Sequence, residues 1–411
     1  MWHVVIVTTT RADAADVVVI GAGVVGAACA YFAARVGLTV IVVDRGSVAG
    51  GTTGAGEGNL LVSDKEPGPE LDLALLSARL WRDLACVEAD SPAGIKADPG
   101  AGLSERIEYE PKGGLVVAGT ADELARLHEL AARQRIHGVE AEPVTAEDLA
   151  GYEPELATEL AGGVFYPQDA QVQPMLAAAH LLKAARDRYR VELRTRAPVI
   201  AVRQNATGRV HGIRLADGTE VAAGVVVNAA GTWSGEVAAL AGVDLPIQPR
   251  RGWILVTEPL PPMIRHKVYT AGYMADVASD AAALETSAVV EGTRSGPILI
   301  GASRERVGFD RTLSLPVVGR LAAQAAQLFP FLAEVTVIRI YTGFRPYCPD
   351  HLPVIGADPR VPGLYHACGH EGAGIGLAAA TGHLLAQLIT GAQVDLELTP
   401  FRPERFGPAT A

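Results

Sequence analysis

Apolar positions along this chain fall into two kinds of run. Short unbroken blocks of β-branched residues stand at 17–20 ("VVVI"), 40–43 ("VIVV") and 225–227 ("VVV"). Such blocks predict strands buried on both faces of a parallel sheet. Longer stretches carry helical spacing: 69–86 ("PELDLALLSARLWRDLAC"), 121–137, 175–188, 317–328 and the segment after 374. Further strands are expected at 103–109 and 114–117, and "GGVFYPQDAQVQP" reads as a strand and loop. Residues 199–231 read as a meander with hairpin-like turns at 206–208 and 217–218. A second region of strands opens at 247–256 and is followed by a proline-rich break.

The pattern predicts an α/β chain of two closely linked domains. A discontinuous Rossmann-like, dinucleotide-binding domain takes 16–90, 150–245 and 340–395. A second, α+β substrate domain on a mainly antiparallel sheet takes 91–149 and 246–339. Residues 1–15 form a loose N-terminal extension, too short in its apolar part to span a bilayer and without the marks of a secretory signal.

The segment 17–46, "VVVIGAGVVGAACAYFAARVGLTVIVVDRG", has no charge between 17 and 34, which raises a membrane span as an alternative. Glycines at the turn and a second apolar strand directly after the helix argue against it. Gly21, Gly23 and Gly26 have the G-x-G-x-x-G spacing between strand and helix, and Asp44 closes the second strand. Gly21 permits the tight turn, Gly23 lets backbone approach a pyrophosphate, and Gly26 lets helix and strand pack closely. The helix N-terminus offers free N–H groups to phosphate. Asp44 can accept from ribose hydroxyls and would repel a 2′-phosphate, which disfavours NADP. Near the other end, Gly372, Gly374 and Gly376 precede a helix with too little chain beyond it for a second nucleotide unit. That helix start is expected to return to the same cofactor, where its dipole would stabilise negative charge, with a purely structural glycine turn as the alternative.

Composition narrows the class. The chain has 411 residues, 49% hydrophobic and 5% aromatic, with a net charge of −11, which excludes a generalised nucleic-acid surface. Cys29, Cys86, Cys348 and Cys368 are scattered without a C-x-x-C pair, so no zinc or iron–sulfur site is expected and a reducing cytoplasm fits. Attachment to the inner face of a membrane stays open.

Taken in order, "VVVIGAGVVGAACAYFAARVG", "GGTTGAGEGNLLVSDKE", "VVVNAAGTWSGEVAALAG", "GFRPYCPDHLPVIG" and "GHEGAGIGLAAATGHLLAQLI" resemble the glycine oxidase/D-amino-acid oxidase-like FAD-dependent oxidoreductases over nearly the whole chain. Within that family the resemblance is nearest to D-hydroxyproline dehydrogenases, opine oxidases and the flavin subunits of hydrogen cyanide synthase. It implies FAD, held at Gly21, Gly23, Gly26, Asp44 and Arg45. It also implies contacts from Thr52, Thr53, Gly58 and Asn59 on the flavin side, and from Val199 on the adenine half. Ala230, Gly231 and the run Gly372, Ala373, Gly374, Ile375 and Gly376 would border the rest. Gly343 stands where some relatives attach flavin through cysteine, so the FAD is expected to be non-covalent; Cys348 lies nearby.

The resemblance also implies chemistry: oxidation of the C–N bond of a D-amino acid or an N-substituted or cyclic amino acid, by hydride transfer to flavin N5, giving an imine. Arg345, in "GFRPYCPD", matches a carboxylate-binding arginine whose fork suits a bidentate grip. Tyr273, in "GYMAD", matches a substrate-facing tyrosine, with a core tyrosine as the alternative. Glu57 is a candidate partner for a basic substrate group or a solvated loop charge, and His370 a flavin neighbour or a helix-entry histidine. Electrons are expected to pass to partner subunits or a quinone. Three rivals stay open: a glycine/sarcosine-type oxidase making hydrogen peroxide, a non-catalytic FAD-binding subunit, and an NAD(P)H-dependent monooxygenase. The single dinucleotide motif argues against the last.

Overall fold

The computed structural model describes residues 13–86, 103–273 and 282–407. Most of the expected N-terminal extension, residues 1–12, lies outside these. Ala14 and Ala15 already belong to the first strand, paired with Ala222 and Ala223.

That strand, β1 (Ala14–Ile20), lies in the middle of the first sheet. On one side run β2 (Val40–Val43) and β8 (Glu192–Arg194). On the other run β11 (Glu220–Asn228), β18 (Leu364–Cys368) and β17 (Val354–Ala357). All these pairs are parallel except β17 with β18. The outer part of β11 also carries an antiparallel extension, β10 (Val210–Leu215) and β9 (Val199–Gln204). Alternate residues of the central strands serve two different cores. Val17, Val19 and Val42 pack in one, and Val18, Ile20, Ile41 and Val43 in the other. Both faces are therefore dry, which is why these runs carry no polar alternation.

The helix α1 (Val24–Arg35) is buried nearly all round. It packs against the C-terminal helix α9 (Gly374–Thr390) and against α6 (Pro174–Tyr189). A β-carbon at Gly382 would run into the backbone of Ala28, so the α1–α9 crossing is set by a missing side chain. The amphipathic α2 (Pro69–Cys86) lies against α9 and donates from Trp81 Nε1 and Ser77 Oγ to carbonyls of its first turn. The segment 371–390 is long and apolar enough to cross a membrane by composition alone; here 61% of its most apolar window is buried inside the fold.

The second sheet runs β16 (Val337–Tyr347), β12 (Gln248–Thr257), β15 (Ile298–Arg304), β14 (Glu285–Gly292), β13 (Lys267–Thr270), β4 (Gly114–Ala118), β6 (Gly162–Tyr166) and β5 (Glu142–Thr145). It is antiparallel except between β13 and β4. One face packs on α8 (Leu315–Leu328) and the short α5 (Leu149–Tyr152). Beside it lies α4 (Ala121–Ile136), which starts with a complete Thr120–Glu123 capping box, whereas α7 (Ser234–Ala239) follows β11 and packs on the first sheet.

Three expectations need correction. The stretch 103–109 is not a strand: α3 (Leu103–Arg106) occupies its first half, because Leu103 and Ile107 stand four apart, a helical spacing, and Ile107 N bonds Leu103 O. β6, placed by sequence with the dinucleotide domain, pairs with β4 and β5 of the second sheet. β16, whose last residues fell in the same domain, runs its full length beside β12. The two-stranded ribbon β3 (Asn59–Leu60) with β7 (Ala170–Gln171) links the layers. Asp169 adds to that link by accepting from Val62 N at 2.8 Å and from the Ser63 hydroxyl.

Candidate active site

A cavity of about 620 Å³ runs from the C-terminal ends of β1 and β2 to the face of the second sheet where β12 and β16 meet. Its first end is built almost entirely from backbone. Gly21 holds φ +113°, and a β-carbon there would press into the Ala229 carbonyl. A β-carbon on Gly26 would press into the Gly21 carbonyl, so Gly26 serves the helix–strand contact and does not line the cavity. Gly23 is the N-cap of α1 and has no capping side chain of its own. Thr53 reaches across to cap instead, its hydroxyl accepting from Val24 N at 3.0 Å. Asp44 draws the turn tight by accepting from Ala22 N and Gly46 N, each at 2.7 Å. This cradle of glycine positions at a helix start fits an extended pyrophosphate, and the Asp44 carboxylate beside it fits a ribose. Val199, Ala230 and Gly231 also line this part. Arg45 stands at the rim, its guanidinium 4.0 Å above the Trp233 ring, which Phe309 stacks upon almost in parallel.

Towards the second sheet the lining changes. The Thr52 and Thr232 hydroxyls both donate to the Phe344 carbonyl, at 2.7 and 2.8 Å. Asn59 donates to Glu57 Oε2 at 3.1 Å, and Lys267 Nζ bridges Glu57 at 3.2 Å and Glu291 at 2.6 Å. Burial works against charge on Lys267, but the two carboxylates outweigh it and hold its pKa above the ordinary lysine value. Glu57 is therefore a buried, partnered acid and no solvated loop charge; its Oε1 is buried without a hydrogen-bond partner. His370 is buried on Thr381 at 3.0 Å, and burial pushes its pKa down to about 3, so the ring is neutral. Gly372, Gly374 and Ile375 line the cavity at the start of α9.

Arg345 projects from β16 into the same space. Its Nη1 donates to Ser303 O at 2.8 Å. Gly252, on β12, makes room for it: a β-carbon there would overlap the guanidinium. Burial, and then the neighbouring Arg304, push the Arg345 pKa down to about 10. Tyr273 is buried, edge-on to Tyr269 with ring centroids 5.0 Å apart, and also lines the cavity.

Of the residues singled out in sequence, Gly58 and Gly376 join Gly26 in standing behind the lining, and Ala373 lines an adjoining cavity instead. Gly58 packs on the Val172 carbonyl, and the Gly376 carbonyl accepts from Ser77 and Trp81. Residues not foreseen include Gly252, Trp233 and Phe344. The pairing of Gly252 with Gly343 across β12 and β16 would be a signal only to a reader who already knew the strand register. Among the described residues no three His, Cys, Asp or Glu side chains converge as a metal site.

A family model described as FAD dependent oxidoreductase matches residues 16–388. The chain is 29% identical to hydrogen cyanide synthase subunit HcnC of Pseudomonas aeruginosa, over 96% of this chain and 97% of that one. It is 30% identical to glycine oxidase of Pseudomonas putida, over 95% and 98%. The crystal structure of glycine oxidase from Geobacillus kaustophilus superposes with a TM-score of 0.82 at 28% identity, over 96% and 99%.

Proposed function

From the premise that the chain belongs to the FAD-dependent oxidoreductase family, and is a flavoenzyme acting on amino acids, we propose that it oxidises the C–N bond of a D-amino acid or of an N-substituted or cyclic amino acid to an imine. The observation that carries this reading is the make-up of the larger cavity: a glycine cradle at one end, and at the other the half-buried guanidinium of Arg345, which has no carboxylate partner among the described residues. FAD, when bound, supplies the acceptor for the two electrons leaving the substrate carbon.

The chain's own part is positioning. Gly21, Gly23, Thr53 and Asp44 would hold the dinucleotide at the C-terminal ends of the central strands β1 and β2. Arg345 grips the substrate carboxylate with two parallel N–H donors, and the room left by Gly252 keeps that fork in place. Tyr273 closes the apolar side of the same pocket. Glu57 and Asn59 form a polar wall held by Lys267. A substrate fixed at its carboxylate has few ways to present its α-carbon, which is the main source of rate in such a reaction.

The test is an anaerobic screen of the purified holoenzyme with D-amino acids, cyclic imino acids and N-carboxyalkyl amino acids. Loss of the oxidised-flavin absorbance with at least one of them is expected. A flavin that dithionite reduces and no amine does overturns the reading and favours a non-catalytic subunit. The proposal extends to an electron acceptor other than dioxygen, a partner subunit or quinone, supported by likeness to a chain named as a synthase subunit. Stoichiometric hydrogen peroxide on re-aeration would reverse that choice and favour an oxidase.

A further inference from the structure

The second sheet carries two pairs of arginines, all buried but the half-buried Arg345, and they are treated differently. Arg250 and Arg251 on β12 are matched by acids. Arg250 reaches Glu285 at 3.0 Å and Glu371 at 3.4 Å, and Arg251 reaches Glu305 and Asp310, each at 2.8 Å. Arg304 and Arg345 are not. Arg304 is 4% exposed, yet among the described residues it makes no ion pair, and its Nη1 is buried with no hydrogen-bond partner. Its guanidinium carbon lies 4.6 Å from the centroid of the Tyr273 ring. Arg345 is tied to the carbonyl of Ser303, the residue immediately before Arg304.

Two like charges brought together, with no carboxylate in ion-pair reach of either among the described residues although Glu57, Glu285 and Glu371 lie around them, cost stability unless an anion arrives. The surroundings say where it enters. A second cavity of about 570 Å³ adjoins the first, and the two share Tyr273, His370, Glu371 and Gly372. Arg304 lines the second cavity and Arg345 the first. Two other cations of the second cavity are already matched, Lys65 by Asp64 at 2.6 Å and Arg133 by Glu66 at 2.7 Å, and a third, Arg126, is exposed.

We propose that Arg304 is a specificity-determining residue that binds a second anionic group, so that the preferred substrate is an amino acid with two carboxylates, one held by Arg345 and the other by Arg304 across Tyr273. This rests on the reaction proposed above only for the word substrate; the anion site stands on the guanidinium pair alone. The second carboxylate lies either on the side chain or on the nitrogen substituent, and both belong to the same chemistry.

The test is a binding measurement that needs no turnover. The holoenzyme is titrated with succinate, glutarate and adipate, and with propionate and butyrate, while the flavin absorbance and the melting temperature are followed. At least one diacid is expected to bind about 30-fold more tightly than the monoacids, the worth of one buried, charge-assisted contact. Arg304→Met is expected to remove that preference, and Arg304→Lys to retain part of it because charge survives without the fork. Equal affinity for diacids and monoacids in the wild type overturns the proposal, as does a diacid preference that survives Arg304→Met. If Arg304→Met does not retain FAD, the wild-type ratio together with Arg304→Lys decides: a lysine variant equal to wild type for every diacid also overturns the proposed fork. The anaerobic screen separates the two readings. Glutarate bound through Arg304 in a protein whose flavin no amine reduces defeats the reaction and keeps the site. Amine-reducible flavin without diacid preference defeats the site and keeps the reaction.

Discussion

The two ends of the main cavity work by opposite means. The end at β1 and α1 is made of backbone: glycines 21 and 23, the start of a helix, and a threonine that caps from a distance. The end at β12 and β16 is made of charge: buried Arg304, Glu57 and Lys267, and the half-buried Arg345. Backbone donors fixed by a turn cannot be lost one at a time, but they tolerate no added atom. Buried charges can be removed singly, and each removal is felt in what the pocket accepts.

That contrast is open to breaking by mutation. The largest effect belongs to Gly21→Val, which meets both the positive φ and the Ala229 carbonyl; the protein is expected to be recovered without FAD, seen as a colourless preparation. Retained flavin in this variant would show that the cradle yields. Next is Arg345→Ala, expected to keep FAD and raise KM for the amino acid about 30-fold or more, since one side of a buried charge pair is lost. Unchanged KM with every substrate removes Arg345 from the carboxylate site.

The smallest effect concerns the tie between the two ends. Asp169 is fully buried between the loop at 62–63 and β4, and burial raises its pKa from 3.8 to about 7. Its folded-state pKa lies above the unfolded one, so its contribution is complete below about pH 4 and is lost as pH rises through about 7. Melting curves between pH 5 and pH 8 should show the wild type losing stability relative to Asp169→Asn. Parallel curves for the two proteins would remove Asp169 as the cause.

The same contrast explains what could be read from the amino acids alone. The backbone end is local in sequence: strand, three glycines, helix, strand and acid fall within 17–46, and each has a steric reason to be where it is. The charged end is assembled from β12, β15, β16, the loop at 57–59 and the residue at 273, so no short stretch contains it. Arg345 came only through family likeness. Arg304, within "GASRER", reads as one of many strand charges until its burial and lack of partner are known. Gly58 and Gly376 look like cofactor contacts beside their neighbours, yet each serves packing behind the wall. The helical turn at 103–106 is masked for a similar reason, since four-residue spacing and alternation are hard to tell apart over so few positions.

The crossing of α1 and α9 through Ala28 and Gly382 has one more consequence. The helix that starts at the glycine cradle and a helix apolar enough to cross a membrane by composition are clamped face to face. Heating that prises them apart would spill the dinucleotide and bare a sticky helix at the same instant. Fading yellow colour and turbidity should therefore arrive together on a thermal ramp, and generous free FAD should delay both.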